Sequence, residues 1–263
     1  MVLVADVLDE LVEFRRARKA CALCTVVRTA GSTPRKSAAR MLVLSDGKIR
    51  GTVGGGRIEK EVTDAAVALL SQGAAARPKL LRYHLTHELA MCCGGEMEVF
   101  VEPLVPEPPL VVCGGGHVAH ALVPLARAVG FAPIVVEDLD EMATTERFPD
   151  AEKFVDSFDV RDWKEIPLDD HSYVVIVTRD HAQDQALLES LCKRELGYLG
   201  LIGSRRKIEM FKQRLIAKGF DQSLFARVHM PIGLDIGAET PEEIAVAIVA
   251  ELIQVRASKR PPK

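Results

Sequence analysis

No stretch of about 18 consecutive apolar residues occurs in this 263-residue chain, so no membrane-spanning helix is predicted. There is no excess of basic charge either. Against 37 Asp and Glu stand 34 Lys and Arg, giving a formal net charge of −3 and a pI near 6.2. That balance favours neither nucleic acid nor an acidic membrane as a partner. A secretory leader needs a basic region followed by a long apolar stretch, and Asp6, Asp9 and Glu10 stand there instead. Internal repeats and low-complexity segments are missing as well. These absences predict a cytoplasmic protein, with Arg256, Lys259, Arg260 and Lys263 read as a solvated terminus.

Cysteine is sparse, at six residues, and the predicted compartment keeps thiols reduced. Cys21 and Cys24 form a CxxC within a segment that reads as a strand. Positions i and i+3 of a strand face opposite sides, so the pair cannot clamp one metal ion. Cys113 in an apolar strand and Cys192 on a helical apolar face read as core thiols. Cys92-Cys93 is followed by Gly94-Gly95, which lets backbone come close to whatever the sulfur touches. Cys93 is therefore a soft-metal ligand, a sulfur carrier or a buried structural thiol.

With 48% apolar and 27% charged residues the chain can build ordinary cores, and its length suggests two of them. Four prolines within residues 103–109 mark a linker, because proline at that density continues neither helix nor sheet. Residues 1–102 read as a small α+β domain. It has an amphipathic helix (Val4, Val7, Leu8, Leu11, Phe14) and a strand near 21–28. Strands flank the hairpin signal Asp46-Gly47, a helix follows Gly54-Gly55-Gly56, and strands lie near 79–84 and 96–102. Residues 110–263 alternate strands (110–113, 133–136, 173–177, 199–202) with helices, the pattern of a Rossmann-like doubly wound parallel sheet. Thr240, Pro241 and Glu243 spell a capping box before the last helix.

The strand–turn–helix Leu110 to Ala119 carries Gly114, Gly116 and Ala119 at the G-x-G-x-x-G/A spacing. Gly114 permits the sharp turn, Gly116 lets a pyrophosphate approach, and the helix amides face the anion. Gly115 and His117 complete the turn. Glu137 or Asp138, after the next strand, is placed to meet a ribose hydroxyl. His117, His120 and His181 are the candidate acid–base groups, the first two equally readable as solvated side chains. His181 follows Arg179 at a strand end where ligands gather, although Asp180 or Asp184 there can serve simply as a helix cap. In the first half, Gly54-Gly55-Gly56 with Arg57 is either a second anion-binding turn or a flexible hairpin exit. Ser32 and Arg35, in the turn after the first strand, offer a hydroxyl and a guanidinium to an oxyanion.

Taken together, several stretches resemble the xanthine dehydrogenase accessory-factor (XdhC/CoxI) family. In the first half they are Val27 to Arg35, Gly51 to Glu59, and Cys93-Gly-Gly95 with Val99 to Pro103. In the second half they are Gly114 to Val118, Glu146 to Asp150, Thr178 to His181, Gly200 to Lys207 and Pro231 to Ile244. The resemblance implies a non-catalytic helper that binds molybdenum cofactor (molybdopterin in its mono- or dinucleotide form). It would shelter the cofactor while an oxo ligand is replaced by sulfur and insert it into an apo molybdenum hydroxylase. A cysteine desulfurase is the other implied partner, and a homodimer is the default assembly. The implied cofactor-binding residues are the two glycine turns with their neighbours, Arg179, His181, Ser204, Arg205 and Cys93, with Cys93 also the metal ligand. Ala38 stands where many members have glycine, predicting a turn with no positive φ. Arg57 stands where a good number have cysteine, which argues against a second thiol beside the first. Two other readings compete: an NAD(P)-dependent oxidoreductase using the Rossmann half, and an interaction module with no ligand.

Overall fold

Asp6 accepts the amide of Leu8 at 3.3 Å and opens helix α1 (Val7–Arg16), the first element of a computed structural model that describes residues 6–73, 76–84 and 95–258. Strand β1 (Cys21–Ala30) then runs through the middle of an antiparallel sheet. Its neighbours are β2 (Arg40–Leu44) and β5 (Glu96–Leu104), with β3 (Ile49–Gly51) and β4 (Lys79–His84) at the edges. The alternation of β1 sends Ala22, Cys24 and Val26 to one face, where Ile58, Val62 and Ala66 of α2 (Gly56–Leu70) cover them. Cys21 belongs to the other face, as the strand period requires. Both thiols are free and fully buried, and burial pushes Cys24 up to about 12, so neither is a nucleophile at neutral pH. The Asp46-Gly47 signal is the β2–β3 hairpin. Ala38 departs from expectation. Its φ is +72°, because its amide is drawn to the carbonyl of Val26 at 2.8 Å beside the irregularity in β1.

The chain divides at Pro106 into two compact units, the second being Glu107–Ser258. The strands reach into the proline-rich segment from both sides. Pro103 lies opposite Ala22 in β5, and Pro109 is the first residue of β6 (Pro109–Cys113). Proline is tolerated there because β4 has already ended opposite Val101, leaving that side of β5 with no ladder to feed.

The second unit is an all-parallel sheet in the order β10-β9-β6-β7-β8. The strands are β7 (Ala132–Val136), β8 (Lys153–Val155), β9 (Tyr173–Ile176) and β10 (Tyr198–Leu201). Successive residues of β6 enter opposite cores. Leu110 and Val112 pack with α3 (His117–Ala128) and α6 (Pro241–Ser258), Val111 and Cys113 with α4 (His181–Leu191) and α5 (Arg205–Ala217). This is the predicted Rossmann-like doubly wound architecture. Strand β8, three half-buried residues at the sheet edge, carries no apolar run and was not expected from sequence. The capping box at α6 is formed: Glu243 receives the Thr240 amide at 3.0 Å and returns its own to Thr240 Oγ1 at 3.2 Å. Among the described residues no helix is long and apolar enough to cross a membrane.

Candidate functional site

Strand order reverses between β6 and β9, and in such sheets ligands lie beyond the carboxyl ends of the strands at that point. The Gly114–Gly116 turn occupies this place. Gly114 has φ +121°, and a β-carbon on it would come within 2.5 Å of the Val177 carbonyl, so only glycine lets the turn nest against β9. At Gly115 a β-carbon would lie 2.8 Å from the Met142 carbonyl. Gly116 differs: its backbone is extended, it caps α3 with no side-chain hydrogen bond, and nothing lies within 4 Å of a built β-carbon. The start of α3 thus faces open space, with His117 exposed beside it.

Two arginines meet this turn in different ways. Arg147 donates from Nη2 to the Gly115 carbonyl at 3.0 Å, while its Nε is buried with no hydrogen-bond partner among the described residues. A buried guanidinium N–H without an acceptor is costly, yet Arg147 keeps its place against the glycine turn through Nη2. Arg147 was not singled out from sequence. It lies 32 residues from Gly115, and only the quoted Glu146-to-Asp150 stretch marked its neighbourhood. Arg179 instead pairs with Glu137 and, at 2.6 Å, with Asp138. Its hydrogen bond holds the Asp138 carboxyl below the usual carboxylate range against the opposing effect of burial. Glu137 is buried at 2% exposure, and its Oε2 accepts the Gly115 amide at 2.7 Å.

Beside the crevice, Asp184 is wholly buried rather than capping α4, a role that Asp180 takes through the Ala182 amide at 2.9 Å. Asp184 accepts from Thr178 Oγ1 at 2.7 Å and from Lys207 Nζ at 2.5 Å, and Lys207 also donates to the Ile202 carbonyl at 3.1 Å. This network joins the ends of β9 and β10 to α4 and α5. His181 is exposed and 3.9 Å from Asp184. Ser204 is spent as the cap of α5, accepting the Lys207 amide at 3.2 Å, and Arg205 is exposed, 4.0 Å from Asp235.

In the first unit three separated motifs meet. A β-carbon on Gly95 would lie 2.5 Å from the carbonyls of Ala30 and Ser32, and one on Gly54 would lie 2.8 Å from Pro34. The turn carrying Ser32 and Arg35 is therefore held between them, with both side chains exposed. The Gly54 amide goes to Thr52 Oγ1 at 3.1 Å and the Gly55 amide to Glu59 Oε2 at 3.1 Å. A carboxylate thus already sits at the start of α2, and these two donors are used within the turn. Gly56 opens α2, and Arg57 is exposed with Glu61 3.8 Å away. Cys92 and Cys93 lie outside the described residues. Among the described residues no group of three or more His, Cys, Asp or Glu is arranged to hold a metal ion.

Residues 110–252 match the family model described as the XdhC Rossmann domain, and residues 14–84 match that of the XdhC and CoxI family. The chain belongs to the XdhC/CoxI family. Relatives of this XdhC-type chain include YqeB of Escherichia coli (strain K12), itself uncharacterized, 36% identical over 89% of this chain and 43% of YqeB. A probable xanthine dehydrogenase subunit of Bacillus subtilis (strain 168) is 34% identical over 60% of this chain and 46% of its own. The chain thus spans less than half the length of these two relatives. The molybdenum cofactor insertion chaperone PaoD of Escherichia coli (strain K12) is 23% identical over 93% of this chain and 86% of PaoD. A crystal structure of a xanthine dehydrogenase from Bacillus halodurans shares the fold, with TM-score 0.52 and 22% identity over 95% of this chain and 96% of that one.

Proposed function

We propose that this XdhC-type chain carries molybdenum cofactor as cargo and helps insert it into an apo molybdenum hydroxylase of the xanthine dehydrogenase kind. The observation that carries this reading is the open start of α3 at Gly116, where no side chain caps the helix amides. A terminal phosphate of the cargo accepts these helix amides, with the Arg147 guanidinium on the adjacent Gly115 carbonyl as the neighbouring cation. Membership of the family and the likeness to PaoD, named as an insertion chaperone, support the choice of cargo. In this reading Gly116, His117 and Arg147 hold the phosphate. Cys93 meets the molybdenum or its sulfur, and a cysteine desulfurase supplies that sulfur while the protein shelters the cofactor. A homodimer is the assembly proposed with it. The competing oxidoreductase reading has less support, because the carboxylates that would take a nicotinamide dinucleotide's ribose are already paired with Arg179.

The test is cargo analysis. Protein purified from a molybdenum-replete host is expected to release a fluorescent pterin on oxidation, and a strain lacking it to make its hydroxylase inactive with iron–sulfur and flavin centres intact. Nicotinamide in place of pterin, or a fully active hydroxylase in a strain with no second copy of the helper, overturns the reading. Cys93→Ser is expected to abolish hydroxylase activation while Cys92→Ser leaves it largely intact. Full activation by Cys93→Ser would remove the thiol from the mechanism.

A further inference from the structure

In a sheet with this strand order, the acid after the second strand accepts the ribose hydroxyls of a bound adenine dinucleotide. Glu137 stands at that position, but its acceptor capacity is largely consumed. Oε2 takes the Gly115 amide at 2.7 Å, and Oε1 takes the amides of Asp138 at 3.1 Å and Leu139 at 3.3 Å together with Arg179 Nη1. A carboxylate oxygen offers about two lone-pair sites, so Oε1 is full. Asp138 is engaged on both oxygens, with Arg179 Nη2 on Oδ1 at 2.6 Å and Gln183 Nε2 on Oδ2 at 3.1 Å. Strands β7 and β9 flank β6. A side chain reaching from residue 179, beyond β9, to residues 137 and 138, beyond β7, therefore crosses the end of β6 beside the glycine turn.

We infer that Arg179 is a specificity-determining residue: by bridging Glu137 and Asp138 it closes the ribose end of the crevice and makes this Rossmann unit refuse ADP-containing ligands. The phosphate end remains accessible, because the space at Gly116 lies outside the bridge. Arg179 is 42% exposed, so its side chain can be shortened without opening a cavity. With the guanidinium gone the covered Glu137 carboxylate is exposed, and Oε2, which takes only the Gly115 amide, has a site for a hydroxyl. The inference concerns the ligand that is turned away and holds whatever the cargo proves to be.

Calorimetric titration of the full-length protein with ADP and with 2′-deoxy-ADP tests it. The wild type is expected to bind both weakly and without preference. Arg179→Ala is expected to bind ADP about tenfold more tightly than wild type and to prefer it over 2′-deoxy-ADP by about tenfold, the scale of one hydrogen bond to a charged acceptor. A wild type that already prefers ADP overturns the inference, and so does a folded Arg179→Ala protein that gains nothing. Arg179→Ser, which withdraws both donors and leaves a small polar side chain at this exposed position, is the second variant. If the alanine protein loses its cooperative melting transition, Arg179→Ser must show the same preference, and its failure to do so is equally decisive. Pterin release is measured on separate samples, so failure of the cargo reading and failure of this one are told apart.

Discussion

Gly114 and Gly116 are two residues apart in one turn, yet an added side chain meets different surroundings at each. At Gly114 it collides with the Val177 carbonyl on a backbone with φ +121°, whereas at Gly116 it projects into open space from an extended backbone. Gly114→Ala is expected to cost about 2–4 kcal/mol in denaturant unfolding, from overpacking and backbone strain together. Gly116→Val should stay within about 0.5 kcal/mol of wild type yet lose cargo in a pterin-release assay. A Gly116→Val protein that keeps its pterin removes the phosphate from this turn. Ala38, at φ +72°, is a left-handed residue with a β-carbon, so Ala38→Gly should raise stability by about 0.5–1 kcal/mol. An unchanged or lower unfolding midpoint would mean that the strain is negligible. The Gly114 turn was legible in the sequence because its spacing is local and its chemistry is stereotyped. The φ of Ala38 was not, since the pairing of β1 with the segment before β2 imposes it. The isolated Arg147 Nε was equally hidden, because a missing partner is a property of packing.

At the scale of elements, the sequence marked helix and strand starts well wherever the signal lay within a few residues. The Asp46-Gly47 hairpin and the Thr240–Glu243 box formed as read. What joins one element to the next was not marked. Asp184 on α4 and Lys207 on α5 are 23 residues apart, and Asp184 reads from sequence as one of two possible caps. In the fold it is fully buried, and the Lys207 ammonium balances its charge. Removing one member of such a pair typically costs about 3–5 kcal/mol, because the remaining charge has no water to replace its partner. Lys207→Met is therefore expected to destabilise strongly in urea unfolding, and the double variant Lys207→Met/Asp184→Leu to recover most of the loss. If the double variant is as unstable as the single, the cost comes from lost packing against Gly203 rather than from the stranded carboxylate.

Across the whole chain, response to acid should not be uniform. In the second unit Glu251 is pushed up by burial, but hydrogen bonds from His229 at 2.9 Å, Tyr198 at 2.5 Å and the Gly233 amide at 2.8 Å outweigh it and hold it below its ordinary 4.5. In the same unit Asp138 is held down by Arg179, and Glu243 by the amides of Glu239 and Thr240 at the start of α6. In the first unit Asp46 is held down by Lys48 on a fully exposed hairpin, where the energetic consequence is slight. A carboxyl whose folded pKa lies below its unfolded one stabilises the fold fully above the unfolded value. That contribution is lost as pH falls from about the ordinary carboxylate range toward the folded value, because the unfolded chain takes up the proton first. The second unit should therefore lose stability earlier as the solution is acidified. Its core contains Trp163, the single tryptophan of the chain, with the indole N–H donated to the Ser157 carbonyl at 2.8 Å. Tryptophan fluorescence thus reports this unit, while far-ultraviolet dichroism reports both. On titration downward from neutral pH the fluorescence transition is expected at the higher pH, with part of the dichroism persisting below it. Glu251→Gln removes one of the proton-linked contributions, so its stability should depend less steeply on pH across that window even if it starts lower. Coincident transitions by the two probes, or an unaltered pH slope in Glu251→Gln, would show that Glu251 and its hydrogen-bond partners do not govern acid unfolding.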